Sequence, residues 1–381
     1  MRKLFLAIPI VILCAVVTYM LLPPTIPLSP TSSALPIPYS LSPKPYTVLG
    51  FLPYWNLKKL NSDELAGTTD IAYFSLRLDQ NGEIVKYVNR YAEEPGYTNY
   101  KRLQNGSTVI NKPLTLTFAG NGNDAIEALL GNATARQNAV GSIVSAANGL
   151  HASGINIDFE PSGAVSPSMR NNFTLFVSEL YKAVKRQPSP LTLSVDIYSI
   201  SATRARLWDI ASLAPNLDYL VVMAYDYFQP SSSQTGPVAP LRGSPTLFNE
   251  DVTKNLAETL RYIEPGKVLL GIPFYGDSWQ TVSTDKYAAP VGTGALATLS
   301  TIEAQIRANT LAELWDRDSL SPYSVATVSG KTREYYYENT TSIGLKLDLV
   351  KAAGLGGIAI WALGYEGDPS PLWETIQNNL Q

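Results

Sequence analysis

The segment Ser153-Gly154-Ile155-Asn156-Ile157-Asp158-Phe159-Glu160 alternates apolar and polar residues to its end. A period of two marks a strand, because successive side chains leave opposite faces of the backbone. Ile155, Ile157 and Phe159 therefore share one face, and Asn156, Asp158 and Glu160 the other. Same-face neighbours stand ~6.5–7 Å apart at Cα, so the two carboxyl groups can come within hydrogen-bonding range. A polar face of this kind is costly to bury unless its groups pair or do chemistry. Two confined carboxyls do not both ionise easily, and one keeps its proton to higher pH. Glu160, at the strand end, is the expected proton donor, with Asp158 as its orienting and electrostatic support. The bland alternative is a buried Asp–Glu pair tied to an Arg or Tyr for structure alone.

Outward from this segment, short apolar runs bounded by Gly, Pro, Asn or Asp recur along the chain. Strands are predicted at Thr47 to Leu52, Asp70 to Leu78, Leu114 to Phe118, Gly154 to Phe159, Leu191 to Asp196, Asp218 to Ala224, Lys267 to Pro273 and Gly356 to Trp361. Between them, Val140, Ile143, Val144, Ala147 and Leu150 fall at helical spacing, as do Phe173, Phe176, Val177, Leu180 and Val184. Further helices are expected at Thr203 to Leu213, Asn249 to Ile263 and Ser342 to Ala353. Eight strands alternating with helices predict an α/β fold, a closed (β/α)8 TIM barrel over residues 46–381. An open doubly wound sheet is the alternative, but no Gly-rich dinucleotide fingerprint follows the first strand. The stretch 277–340, too long for a simple connection, is expected to form a small α+β insertion between strands seven and eight.

Composition narrows the chemistry. The chain has 45% hydrophobic and 16% charged residues, enough apolar material for a large core. The formal charge of -3 and the lack of a basic stripe give no reason to expect nucleic acid. There is one histidine, His151, and one cysteine, Cys14. A Ser-His-Asp triad is thus conceivable only around His151, which is expected to be structural. A His-rich zinc site and an internal disulfide are excluded, and no metal or cofactor is expected. Catalysis then falls to carboxylates.

Arg2 and Lys3 precede an apolar run from Leu4 to Leu22. Its length at ~1.5 Å per residue is about 28 Å, close to the hydrocarbon thickness of a bilayer. Residues 1–22 are read as a signal-anchor with a cytoplasmic N-terminus, a cleaved signal peptide being the rival. Eight prolines between Pro23 and Pro45 form an extended spacer. The expected result is a monomeric catalytic domain held outside the cytoplasm, or secreted if the segment is cleaved.

The segment ending at Glu160 resembles the signature of family 18 glycoside hydrolases, Asp-Gly-x-Asp-x-Asp-x-Glu. Glu160 matches the catalytic acid and Asp158 the carboxylate that contacts the substrate acetamido group. Asn156 stands at the middle Asp and Ser153 at the first. Met223-Ala-Tyr225-Asp226 is similar to the family's strand-six motif, in which the Tyr hydroxyl binds the acetamido oxygen. Gly271-Ile-Pro-Phe-Tyr275-Gly276 resembles its strand-seven motif, and Trp361 the tryptophan that floors the cleaved sugar. Gly50-Phe51-Leu-Pro-Tyr54-Trp55 resembles its first strand and aromatic rim. The third strand, ending Phe118-Ala-Gly120-Asn121, departs from the common Ser-x-Gly-Gly. The segment from Tyr337 to Gly364 looks most like bacterial wall- and spore-cortex-lytic members.

The resemblance implies cleavage beside N-acetylglucosamine in chitin or peptidoglycan, by a retaining mechanism in which the substrate's acetamido oxygen is the nucleophile. It implies catalytic roles for Glu160, Asp158 and Tyr225. Substrate contacts are implied for Asn156, Met223, Asp226, Trp361, Tyr54, Phe51 and Tyr275. The rival from another class is a sugar-binding lectin on the same barrel with catalysis lost. A wall-anchored scaffold is a third reading, drawing only on the anchor and spacer.

Overall fold

A computed structural model describes residues 45–381, apart from 109, 205, 245, 329 and 368–369. The expected signal-anchor and nearly all of the spacer lie outside the described residues. Among the described residues no helix is long and apolar enough to cross a membrane.

Eight strands form the barrel: β1 (Thr47–Pro53), β2 (Asp70–Leu78), β3 (Leu114–Gly120), β4 (Gly154–Asp158), β5 (Thr192–Tyr198), β6 (Tyr219–Met223), β7 (Val268–Pro273) and β8 (Gly357–Trp361). Each pairs in parallel with its neighbours in chain order, and β8 closes on β1. The predicted strands thus all form, with ends shifted by one or two residues.

The barrel has two apolar layers because strand side chains alternate. Outward residues, among them Val48, Leu52, Ile155, Ile157, Val195 and Ile272, pack beneath the helices in the main core. Phe159 stacks on Phe176 of the helix Pro167–Lys185, with ring centroids 5.7 Å apart. Full burial of each such side chain contributes about 1.5–3 kcal/mol. The inward layer is divided. Leu49, Phe51, Ala72, Val221, Leu269 and Ala359 make one half apolar. The neighbouring strands β3, β4 and β5 instead turn Thr115, Thr117, Asn156, Asp158, Ser194 and Asp196 inward, all buried.

The expected insertion is a lobe of five antiparallel strands with the helix Leu299–Arg307. Its strand Tyr275–Thr281 starts almost directly from the C-terminal end of β7 and pairs with Ala295–Thr298 and Lys331–Tyr336. The lobe therefore rises from the barrel end at which enzymes of this fold carry their sites.

The helix expected at Thr203 to Leu213 is a correction. Only Ile210–Leu213 is helical, capped by the Asp209 side chain on Ser212 N. The preceding residues make turns, with the backbone amides of Ser201 and Arg204 donating to the carbonyls of Tyr198 and Ile200. Buried Leu207 and Trp208 anchor the far end of that loop. The helix expected from Asn249 is also shorter, Val252–Thr259, because Asp251 caps it by accepting from Lys254 N.

Candidate active site

At the C-terminal ends of the strands lies a cleft of about 680 Å³. Asp158, Glu160, Tyr225, Met223, Asp226, Phe51, Tyr275 and Trp361 all line it. These are eight of the ten side chains that the sequence singles out, drawn from β1, β4, β6, β7 and β8 or the residues that follow them.

The other two stand elsewhere. Asn156 is wholly buried one layer below the cleft. Its Nδ2 donates to Asp196 Oδ2 at 2.8 Å, and Ser194 Oγ donates to its Oδ1 at 2.6 Å. It braces the site from beneath and does not reach the cleft wall, since its strand position is two residues below Asp158. Tyr54 turns away from the cleft because the 3₁₀ turn Tyr54–Lys59 follows β1 immediately. Its ring packs edge-on against Trp55, centroids 4.8 Å apart, and against the core. His151 occupies an exposed turn between the helix Ala133–Gly149 and β4.

The electrostatics follow from how deep each group lies. Burial pushes the Asp158 carboxyl well above the usual carboxylate range, and the charges of Glu160 and Asp196 push it the same way. Glu160 is raised as well, chiefly by desolvation among its protein neighbours although its side chain opens on the cleft. The Tyr198 hydroxyl and Asp158 both donate to Glu160 and oppose that rise. Asp196 is held high by burial, against the pull of the Asn156 amide. Asp158 and Glu160 are thus both held above the usual carboxylate range, and the pair keeps a proton that the two carboxyls share across their hydrogen bond.

Tyr225 is half-buried beside Asp196, Glu160, Asp226 and Asp158, and desolvation with these charges keeps its hydroxyl protonated. It is therefore a fixed donor at the cleft floor. Glycine at 271 is what lets it lie there: a Cβ would stand 2.6 Å from Val222 O and 3.0 Å from the Tyr225 ring. Asp226 adopts a left-handed backbone (φ 61°) and accepts a short hydrogen bond from the Tyr275 hydroxyl. Asp277, on the lobe strand beyond, is pushed up to about 8 by burial and by Asp226.

Opposite β4, four strands around the ring, the indole of Trp361 meets the Phe74 ring edge-on at 4.6 Å and the Phe51 ring at 6.0 Å. The cleft thus has an aromatic side that can take the apolar face of a ring, and an acidic side that can exchange a proton with it.

Several lining residues escape a reading of the sequence. Asp196 and Tyr198 project from β5 beside Asp158 and Glu160. A signal for them exists, because Ser194-x-Asp196-x-Tyr198 repeats the inward polar alternation of the neighbouring strand. Phe74, Arg204, Arg206 and Glu250 also line the cleft, and the last three lie in loops without periodicity.

Comparison with known proteins agrees with this geometry. A sequence model described as glycosyl hydrolases family 18 matches residues 47–366. A putative sporulation-specific glycosylase of Bacillus subtilis is 25% identical over 316 residues, covering 82% of this chain and 70% of that protein. A di-N-acetylchitobiase of Rattus norvegicus is 27% identical over 256 residues, covering 62% of this chain and 68% of that protein. The solved structure of a family 18 N-acetylglucosaminidase from Paenibacillus barengoltzii shares the fold with a TM-score of 0.72 at 22% identity, over 88% of this chain and 100% of that one. With the family match running from the first residue of β1 through the lobe and past β8, the chain belongs to family 18 of the glycosyl hydrolases.

Proposed function

We propose that the chain hydrolyses β-1,4 bonds next to N-acetylglucosamine in a chitin-like or peptidoglycan polymer, with retention of configuration. The observation that carries this is the convergence of Glu160, Asp158 and Tyr225 on one cleft whose far wall is the Trp361 indole. The relatives' own names, a chitobiase and an N-acetylglucosaminidase among them, support the same substrate class.

The 2-acetamido sugar at the bond to be cut lies on Trp361. Glu160 gives its proton to the glycosidic oxygen as the bond to the anomeric carbon breaks. The acetamido oxygen of the same sugar closes on that carbon, forming an oxazolinium ring. Asp158 and the Tyr225 hydroxyl hold the acetamido group in line, and Asp158 offsets the positive charge of the ring. Water then attacks the anomeric carbon, Glu160 takes its proton, and the acetamido group is restored. Acid–base assistance of this kind is worth ~10²–10⁴ in rate, with fixed positioning adding more.

A lectin without turnover is the second reading. The paired carboxyls of Asp158 and Glu160 argue against it, since a binding site has no use for a proton held at its floor. We further read residues 1–22 as the anchor and 23–45 as the spacer of an extracytoplasmic, monomeric enzyme.

The test is release of reducing ends from chitin oligosaccharides and from purified peptidoglycan by the full chain, with Glu160→Gln as control. Turnover of either polymer that disappears in the control supports the hydrolase. Oligosaccharide binding with no turnover of either one supports the lectin.

A further inference from the structure

The cleft is not chemically uniform along its length. Its β8, β1 and β2 side is aromatic, with Trp361, Phe51 and Phe74. Its other side is built by the loops after β4, β5 and β6, and carries Ser162, Gly163, Arg204, Arg206, Gln229 and Glu250. Glu160 stands at the end of β4, where the charged side begins. A sugar resting on Trp361 with its glycosidic oxygen at Glu160 must send its leaving neighbour toward the arginines.

Arg206 is set for a ligand. Its Nη1 donates to Gly163 O at 3.2 Å, tying the β5 loop to the β4 loop. Its guanidinium lies over the Tyr198 ring, 5.4 Å from the centroid, and its own carbonyl accepts from Arg170 Nε at 2.7 Å. Among the described residues no carboxylate lies within 4.0 Å of that guanidinium. Arg204 meets Glu250 only at 3.9 Å, and Glu250 is shared with Lys254 at 3.6 Å. Arg204 and Lys254 thus share the Glu250 carboxylate, which leaves Arg206 without a carboxylate partner of its own among the described residues. The remaining acids of the cleft, Asp158, Glu160, Asp196 and Asp226, are committed to one another, to Asn156 or to neighbouring tyrosines.

A guanidinium can donate to the hydroxyls of a neutral sugar, but its charge and planar fork of donors match a carboxylate best. We infer that the sugar on the leaving side of the cut bears a carboxylate, and that Arg206, assisted by Arg204, recognises it. The substrate class is then an acid-bearing 2-acetamido glycan, such as a strand whose alternate sugars carry a lactyl ether, rather than a neutral homopolymer. This deepens the hydrolase reading and rests on its placement of the cleaved bond at Glu160.

The experiment uses the full chain and peptide-free peptidoglycan strands, either with free lactyl carboxylates or with those groups converted to methyl amides. Wild type is expected to prefer the acid strands in kcat/KM by on the order of tenfold or more, the usual effect of a hydrogen bond to a charged group. The preference shrinks as salt is raised, and it falls toward unity in Arg206→Gln. Arg206→Lys, which keeps the charge and loses the fork, recovers only part of it. Equal turnover of both strands by wild type overturns the inference and leaves the hydrolase standing. If neither strand is cut, titration calorimetry decides. Carboxylate-dependent binding that Arg206→Gln abolishes upholds the inference while the hydrolase reading fails, and equal or absent binding overturns it.

Discussion

Asn156 and Asp196 are joined by a 2.8 Å hydrogen bond between neighbouring strands β4 and β5, both side chains buried beneath the cleft. Ser194 completes the link by donating to the Asn156 oxygen at 2.6 Å. An amide at this position supplies a donor that stabilises ionised Asp196, and it does not add a further carboxyl to Asp158, Glu160 and Asp196. The position matters for the proton balance of the site although it touches no cleft-lining space itself.

Asn156→Leu fills a similar volume with no donor or acceptor. Loss of the two partners is expected to cost about 1–3 kcal/mol in urea unfolding. In addition kcat should fall by more than ~10-fold, because Asp196 loses its donor and holds its proton more tightly. Lowered stability with unchanged kcat would reduce Asn156 to a structural brace.

Tyr198→Phe removes a hydrogen bond that favours the charged form of Glu160. Glu160 then keeps its proton to higher pH. The alkaline limb of kcat/KM, where the acid is lost, should move upward relative to wild type. A limb that stays in place, or moves down, would show that Tyr198 does not bear on Glu160.

Trp361→Ala deletes the indole that Phe74 and Phe51 support edge-on and tilted. Stacking of a ring on such a face contributes about 0.5–1.5 kcal/mol, so KM should rise by roughly 2- to 10-fold. kcat should fall as well, because acetamido attack needs the sugar fixed. Trp361→Phe should restore part of both. A change in KM alone would argue that the indole binds but does not position.

Glu366 lies away from the cleft, buried against Glu64, with Oε1 accepting from Trp373 Nε1 at 3.0 Å. Burial and the Glu64 charge push it up to about 9 from an ordinary 4.5. The folded form therefore holds a proton that the unfolded chain has released. Its stabilising contribution is complete below about pH 4.5 and is lost as pH rises toward 9. Glu366→Gln keeps the acceptor for Trp373 and does not titrate, so its Tm should decline less than that of wild type between pH 6 and 9. Parallel Tm profiles would place the alkaline sensitivity elsewhere.

The sequence by itself determined what depends on local alternation. The period of two across 154–160 set which side chains of β4 face inward, and the eight apolar runs set the strands. Both are properties of covalent geometry and of neighbouring residues. The barrel, Asp158 and Glu160 were legible on that basis, whereas Phe51, Met223, Tyr225, Asp226, Tyr275 and Trp361 were named by resemblance to the family's motifs. Tertiary structure decided the rest. Only closure of the ring puts β5 beside β4 and so brings Asp196 and Tyr198 to the catalytic pair. Only the depth of Asn156 beneath the cleft makes it a brace for Asp196, and only the turn after β1 swings Tyr54 onto Trp55. Arg204 and Arg206 lie where a helix was expected, in a loop whose path is fixed by buried Leu207 and Trp208 and by the carbonyls of its own turns. Such positions depend on distances between segments remote in the chain, which no local period encodes.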